Sequence, residues 1–259
     1  MKQKRSPLIS VITPAYNADK FISETIESVL NQTYPYWEMI IVDDCSQDKT
    51  VEYIKGYMEN DQRIKLIKLE KNSGSAVARN TAMENAEGDY LAFLDSDDRW
   101  LENKLEEQIK FMQSKDIAFS FTKYVRMKED GTTTGAIVDA PESVDYEDLM
   151  KHCVIGCLTV MLDRKKIGNL KMPNIRTRQD YAFWLKIARK GHVAYGLPKV
   201  LAQYRLVENS ISSNKFKAAK QNWYVYRHIE KHSFGKTLWY FSNYALTSVK
   251  NIIKFKLTQ

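Results

Sequence analysis

Tyr90-Leu91-Ala92-Phe93-Leu94-Asp95-Ser96-Asp97-Asp98 decides how this chain folds. A continuous apolar run stops abruptly at a cluster of acids, and a charged amphipathic stretch, Leu101 to Ser114, follows. An apolar run of this length reads as a strand buried on both faces, which belongs in a parallel sheet covered by helices. Such sheets bind ligands beyond the carboxyl ends of their strands. Two residues apart on extended backbone, Asp95 and Asp97 project on the same side. Their hard oxygens suit magnesium or manganese, which commonly take one or two carboxylates and complete the shell with phosphate and water. The plainer alternative is that these acids cap the next helix and stay solvated.

Upstream the alternation repeats. Leu8 to Thr13 reads as a strand, Pro14-Ala15-Tyr16-Asn17 as a loop and Ala18 to Leu30 as a helix. Glu38 to Val42 ends in Asp43-Asp44, with a helix from Lys49 to Glu59. Ile64 to Leu69 is a third strand, Asn72-Ser73-Gly74-Ser75 a turn, and Ala76 to Ala86 a helix carrying Arg79. Asn17, Asp44, Gly74 and Asp97 each follow a strand's carboxyl end, so one crevice is expected to collect them. Downstream the pattern loosens. Strands are expected over Ile117 to Lys128, Thr132 to Val138, Leu158 to Leu162 and Val193 to Arg205, and helices over Tyr146 to His152 and Tyr181 to Lys190. Beyond Asn214 the chain reads as helix only.

Several side chains have a chemistry that fits a nucleotide. The Tyr16 ring can lie against a base, a contact worth roughly 1–3 kcal/mol; alone such a residue is more often a packing tyrosine. Asp44 can accept a hydrogen bond from a ring N–H, which uracil presents and cytosine does not; alone it is a turn residue. Arg79 can meet a pyrophosphate, or it is an ordinary exposed helical arginine.

The chain has 259 residues, 44% of them apolar, enough for one large α/β domain or a domain with a tail. Lys and Arg number 39 against 32 acids, a net charge of +7, concentrated at the two ends. That balance favours an anionic partner, either a phosphate-bearing ligand or an acidic membrane. Nucleic acid is not expected, because no helix-turn-helix, zinc-finger or RNA-binding aromatic pattern occurs. Cys45, Cys153 and Cys157 cannot all pair, and no apolar signal segment precedes them, which fits a reducing cytoplasm. His152-Cys153 and Cys157 lack further zinc ligands and read as small buried thiols.

Taken together and in order, Ser10-Val11-Ile12-Thr13-Pro14-Ala15-Tyr16-Asn17, Ile41-Val42-Asp43-Asp44-Cys45-Ser46, Asn72-Ser73-Gly74-Ser75-Ala76-Val77-Ala78-Arg79-Asn80 and Phe93-Leu94-Asp95-Ser96-Asp97-Asp98 resemble the family 2 inverting glycosyltransferases. The resemblance is strong over residues 7–115 and weaker to about 213. It implies the α/β GT-A fold, a Rossmann-like, mostly parallel sheet flanked by helices. It divides the chain into a catalytic domain 1–215, with a nucleotide-sugar part 7–115 and an acceptor part 116–215, and a basic amphipathic helical extension 216–259. It implies that Pro14, Ala15 and Tyr16, with Asn17 beside them, line the base pocket and that Asp44 pairs with uracil. It further implies that Gly74 and Arg79 border the nucleotide, that Asp95 and Ser96 lie by the ribose and phosphates, and that Asp97 is the direct ligand of Mn2+ or Mg2+, with Asp95 near it. The donor so implied is a UDP-sugar.

An inverting transfer needs a carboxylate on the face opposite the departing diphosphate. Asp180, in Thr177-Arg178-Gln179-Asp180-Tyr181-Ala182-Phe183-Trp184, matches the motif that supplies this base in the family. It reads alternatively as a helix N-cap. In the late segment Tyr204-Arg205-Leu206-Val207-Glu208-Asn209-Ser210-Ile211-Ser212, Val207 stands where many members have histidine, so this position offers no metal ligand; Arg205 and Ser210 are candidate phosphate contacts. No Gln-x-x-Arg-Trp motif or membrane-spanning run occurs, so one sugar per encounter is expected. A narrower resemblance, to bacterial teichuronic-acid or capsule-assembly transferases, implies a lipid-linked acceptor glycan. The tail from Phe234 to Leu257 mixes apolar residues with Lys236, Lys250, Lys254 and Lys256; it either lies on an anionic membrane, at the inner face of the cell membrane, or packs on the catalytic domain or a second copy in a homo-oligomer. The competing activities are a nucleotidyltransferase and a non-catalytic sugar-nucleotide binder. The first needs a basic, glycine-rich loop where Pro14-Ala15-Tyr16-Asn17 stands, and the second should have lost Asp97 or Asp180.

Overall fold

A computed structural model describes residues 5–207 and 215–257. The strand β1 (Ile9–Ala15), helix α1 (Ile22–Leu30), β2 (Trp37–Asp43), α2 (Thr50–Asn60), β3 (Ile64–Lys68), α3 (Ser75–Glu84) and β4 (Tyr90–Phe93) follow in the expected alternation. Then come β5 (Arg99–Trp100), α4 (Lys104–Ser114), β6 (Phe119–Met127), β7 (Thr133–Val138), β8 (Ser143–Val144) and α5 (Tyr146–Lys151). The described chain ends with β9 (Met161–Asp163), α6 (Arg164–Ile167), α7 (Gln179–Ala188), β10 (Ala194–Arg205), α8 (Lys215–Tyr224) and α9 (Phe234–Leu257).

All ten strands join one sheet in the order β3-β2-β1-β4-β9-β6-β10-β5, with β7 on β6 and β8 on β10. The first four strands are parallel; β9 runs antiparallel between β4 and β6, and β6 pairs parallel with β10. Both faces of the first half are covered. Ile12, Ile40, Val42 and Phe93 face one apolar core, while Val11, Met39, Ile41 and Ala92 face the other. A strand covered on both sides has no need to alternate in polarity, which is why the runs are continuously apolar. On the first face Trp184 of α7 packs edge-on against Phe93 at 5.4 Å and against Phe119 at 5.4 Å, tying α7 to the middle of the sheet.

The departures from expectation are local. Arg99–Trp100 pairs with β10, so α4 starts at Lys104 rather than Leu101. The expected strand 158–162 splits into a 3-10 turn, Cys157–Thr159, and β9. The helical tail is broken by a π-helical turn, Val225–Ile229, and by Lys231 at φ 56°. Far from standing apart, its helices give Val225, Tyr226 and Tyr240 to the main core. Thr237 and Tyr240 are buried, the Tyr240 hydroxyl donates to Glu147 at 2.7 Å, and Trp223 sits edge-on to Phe234 and Phe241. One face of α9 is therefore packed on the domain, as one of the two readings of the tail expected.

Candidate active site

The carboxyl ends of β1, β2 and β4 open into a cavity of about 670 Å³, closed on the far side by the segment 153–158 and the start of α7. Pro14, Ala15, Tyr16, Asp44, Arg79, Asp95, Ser96, Asp97 and Asp180 all line it. Asn17 and Gly74 are not in its wall. Asn17, at φ 47°, accepts from the Gln47 N–H at 2.8 Å and donates its own N–H to Ser46 Oγ at 2.9 Å, so it ties two loops behind the cavity. Gly74, at φ 91°, is the residue before α3 and donates its N–H to Asp44 Oδ2 at 2.7 Å.

Asp44 is buried at the end of β2, where its other oxygen takes the Ser73 N–H at 2.6 Å. The carboxylate thus shapes the loop ahead of α3 and keeps spare lone pairs, since each oxygen can accept twice. Tyr16 is 49% exposed at the cavity edge, which removes the packing reading of its ring. Arg79, far from being an exposed helical arginine, is 4% exposed. One guanidinium nitrogen donates to Asp95, while its Nε and Nη1 are buried without a partner. Burial works against its charge, but Asp95 and Asp180 outweigh burial and hold the proton more firmly than usual. A buried guanidinium with two idle nitrogens in a cavity wall is set to receive an anion.

At the acidic cluster, the caps expected by the plainer reading are absent: α4 is preceded by Asn103 with no side-chain cap. Asp98 is buried and accepts the Arg205 N–H at 2.8 Å, and burial with the neighbouring Asp97 and Asp95 pushes its carboxyl well above the usual range. Burial and Asp95 likewise push Asp97 up to about 6. Among the described residues no three His, Cys, Asp or Glu could together hold an ion, and Val207 adds only an apolar contact to the wall. The pair fits Mg2+ or Mn2+, which need few protein ligands when phosphates are present, and it would not cage an ion alone.

Arg205 corrects an expectation. Its side chain is fully buried: Nε donates to the Asp97 carbonyl at 2.7 Å, Nη1 to the Glu129 carbonyl at 2.6 Å and Nη2 to Glu24 at 2.6 Å, with Phe21 beneath it at 4.6 Å. With all three nitrogens engaged and the side chain out of reach of the cavity, Arg205 clamps the acidic loop instead. Ser210 lies outside the described residues.

Across the cavity, α7 begins at Gln179 after Arg178 in left-handed conformation, φ 63°, so Asp180 sits in the first helical turn and is not the cap. Among the described residues its carboxylate has no hydrogen bond or ion pair. Gln179 holds Ser75 Oγ at 2.8 Å, joining α7 to α3. The sequence reading missed Arg176, Thr177 and Arg178 as wall residues, together with Tyr124, Tyr204 and, from α8, Ala218 and Gln221. Cys153 and Cys157 also line it; burial pushes the Cys153 thiol up to about 12, so it stays protonated, as expected of an unreactive thiol.

The family model for glycosyl transferase family 2 matches residues 10–168. The chain belongs to glycosyltransferase family 2. Among its relatives is TuaG of Bacillus subtilis (strain 168), named for teichuronic acid biosynthesis: 56% identical over 244 residues, 94% of this chain and 97% of the relative. WfgD of Escherichia coli, named as a UDP-Glc:alpha-D-GlcNAc-diphosphoundecaprenol beta-1,3-glucosyltransferase, is 40% identical over 94% of each chain. Of solved structures, S. aureus TarS 1-349 with UDP-GlcNAc superimposes with a TM-score of 0.71 at 21% identity, over 92% of this chain and 71% of that one. Mannosyltransferase PcManGT from Pyrobaculum calidifontis, with GDP-Man and Mn2+, gives 0.67 at 19%, over 94% and 74%. The architecture is the GT-A fold, as the motifs implied. Family membership also decides among the three activities: this chain is an enzyme of glycosyl transfer.

Proposed function

We propose that the enzyme moves one sugar per encounter, with inversion, from a UDP-sugar to a glycan carried on a lipid diphosphate during synthesis of a bacterial cell-surface polysaccharide. The observation that carries this reading is one cavity holding the idle N–H groups of Arg79, the carboxyl pair Asp95 and Asp97, and, on the opposite wall, the unpaired carboxylate of Asp180. The donor and acceptor chemistry takes further support from the names of WfgD and of the UDP-GlcNAc complex of TarS.

In this reading Pro14, Ala15 and exposed Tyr16 flank the base, and a spare lone pair of Asp44 takes the uracil ring N–H. Arg79 takes the diphosphate oxygens on its idle Nε and Nη1. The acceptor hydroxyl attacks the anomeric carbon as Asp180 removes its proton; the bond from that carbon to the diphosphate oxygen breaks on the other face, and UDP leaves with the electron pair. Asp97, with Asp95 beside it, would hold Mn2+ or Mg2+, which when bound offsets the charge of the leaving diphosphate. The exposed side of α9, with Leu238, Trp239 and Leu246 clear of the domain, rests on an anionic bilayer at the inner face of the cell membrane and brings the cavity to a lipid-linked acceptor.

Calorimetry with UDP tests the donor side. UDP is expected to bind, more tightly with Mn2+, and Asp97→Asn to remove the Mn2+ effect. Binding that ignores Mn2+ in the unaltered protein would overturn the role given to Asp97.

A further inference from the structure

The cavity contains more cationic chemistry than a donor requires. Arg79 already supplies idle N–H groups on the α3 side, where the nucleotide motifs converge. Two other guanidinium groups, Arg176 and Arg178, line the same cavity in the segment that leads into α7. Neither has a hydrogen bond or an ion pair within the described residues, although Asp180 is close by in sequence. Between them the Thr177 hydroxyl oxygen is buried and unpartnered, and Gln179, 8% exposed, has an unpartnered side-chain oxygen. Arg178 is also held at φ 63°, a conformation a non-glycine residue adopts at a cost, and one that persists only where its surroundings impose it. This segment therefore presents two free cations and an idle hydroxyl, immediately before the candidate base.

Their position assigns the anion. In an inverting transfer the base and the departing diphosphate lie on opposite faces of the anomeric carbon, so groups that flank the base face the acceptor. Resting on the reading of Asp180 given above, we propose that Arg176 and Arg178, with Thr177 between them, form an acceptor subsite that binds the diphosphate linking the acceptor glycan to its lipid. Guanidinium groups suit this task because their fork of donors matches phosphate oxygens and carries charge at every working pH. Tyr124 and Tyr204, whose rings are 5.9 Å apart, and Ile155 supply the apolar wall beside it, suited to a sugar face or the first lipid carbons. The site would then select for diphosphate-linked acceptors over the same sugars without the diphosphate.

The test uses the full-length protein saturated with UDP and Mn2+, so that the donor side is filled, and titrates undecyl diphosphate by calorimetry, with inorganic pyrophosphate and undecanol in parallel. Undecyl diphosphate is expected to bind and undecanol not to; binding of pyrophosphate alone at equal strength would show a site for free diphosphate and overturn the lipid-linked assignment. Arg176→Ala/Arg178→Ala should weaken undecyl diphosphate roughly tenfold or more, the loss expected for charge-assisted hydrogen bonds, while changing UDP affinity by less than about twofold. Equal loss of UDP affinity would assign the arginines to the donor, and no loss of undecyl diphosphate affinity would remove them from any anion site; both overturn the proposal. Arg176→Lys/Arg178→Lys, which keeps the charge and loses the fork, should retain part of the binding and guards against misreading a folding defect. If the unaltered protein fails to bind UDP, the donor reading falls, and the subsite is judged on the undecyl diphosphate titration alone.

Discussion

In the half of the sheet formed by β1 to β4, strands pair parallel in unbroken register, β1 on β2 from Ile9 opposite Trp37 to Ala15 opposite Asp43. In the other half, the pairing of β10 on β6 slips between Leu197 and Val200 and again between Val200 and Ala202, and β9 runs antiparallel through the middle. The cavity lies between them. On the regular side each charged group has at least one partner: Asp44 takes two backbone N–H groups, Asp95 takes one nitrogen of Arg79, whose Nε and Nη1 stay idle, and Asp98 takes the Arg205 N–H. On the irregular side Arg176, Arg178 and Asp180 have no hydrogen bond or ion pair among the described residues. Charged side chains with no fastening at all, found on one wall, teach that this wall is left open for a ligand, whereas the other wall ties its charges into the fold and leaves only the spare atoms of Arg79 idle.

The sharpest way to break this contrast is Asp180→Asn. Turnover is expected to fall by about 10²–10⁴, the usual contribution of a general base, with UDP affinity unchanged by calorimetry. Retained turnover would place the base elsewhere. Next is the joint between the halves. Trp184→Ala removes the ring wedged between Phe93 and Phe119 and is expected to destabilise the fold by about 3–5 kcal/mol in urea, which a shift of the unfolding midpoint would report. A smaller effect tests a buried cation outside the cavity. Lys104 is fully buried, donates to Gln108 at 2.8 Å and lies 4.1 Å over Trp100; burial pulls it down to about 7.

The sign of that effect follows from proton counting. Between about pH 7 and pH 10 the unfolded chain binds a proton at Lys104 that the native state lacks, so this group makes stability rise with pH across that window. Below it both states are charged, and the charge is buried at a cost. Lys104→Met should flatten the rise, by at most about 1.4 kcal/mol per pH unit, in unfolding curves taken at pH 7, 8 and 9. The smallest effect concerns the outer face of α9. Leu238→Ser, Trp239→Ser and Leu246→Ser together should weaken binding to vesicles of anionic lipid without lowering thermal stability or turnover of a short-chain acceptor, because these side chains touch solvent and not the core. Unchanged sedimentation with vesicles would count against the membrane contact. Substitution is the better tool here than deletion of α9, which would also remove the buried Tyr240.

How much of this was legible in the sequence follows the same division. Strands buried on both faces announce themselves as uninterrupted apolar runs, and the acids after Leu94 or Val42 mark where they stop, so the fold class and the residues that meet in this cavity wall could be read from order alone. The far wall could not, because it is assembled from short pieces whose pairing is set by distant partners. The strand expected over 158–162 was cut short by a 3-10 turn, and Arg176 and Arg178 carry no periodicity that distinguishes a cavity arginine from a surface one. Arg205 was misassigned for a related reason: its partners, Glu24, Asp97 and Glu129, are remote in sequence, and charge alone cannot tell a clamp from a ligand. For Arg79 the opposite held, since only burial separates an idle guanidinium from a solvated one.

The clamp made by Arg205 reaches back from the last strand of the sheet to the loop after β4 and to α1. During synthesis the acidic loop leaves the ribosome long before residue 205 does, so for that interval Arg205 holds neither its carbonyl at Asp97 nor the Asp98 carboxylate, and Thr25 and Arg79 are left to fasten it. The first half can collapse around its apolar strands, yet its acidic loop gains the last of its fastenings only when β10 docks. A fragment ending after α4 should therefore be a poor ligand binder even where it is compact, and the order of assembly makes the acidic edge of the cavity one of the last things this protein finishes.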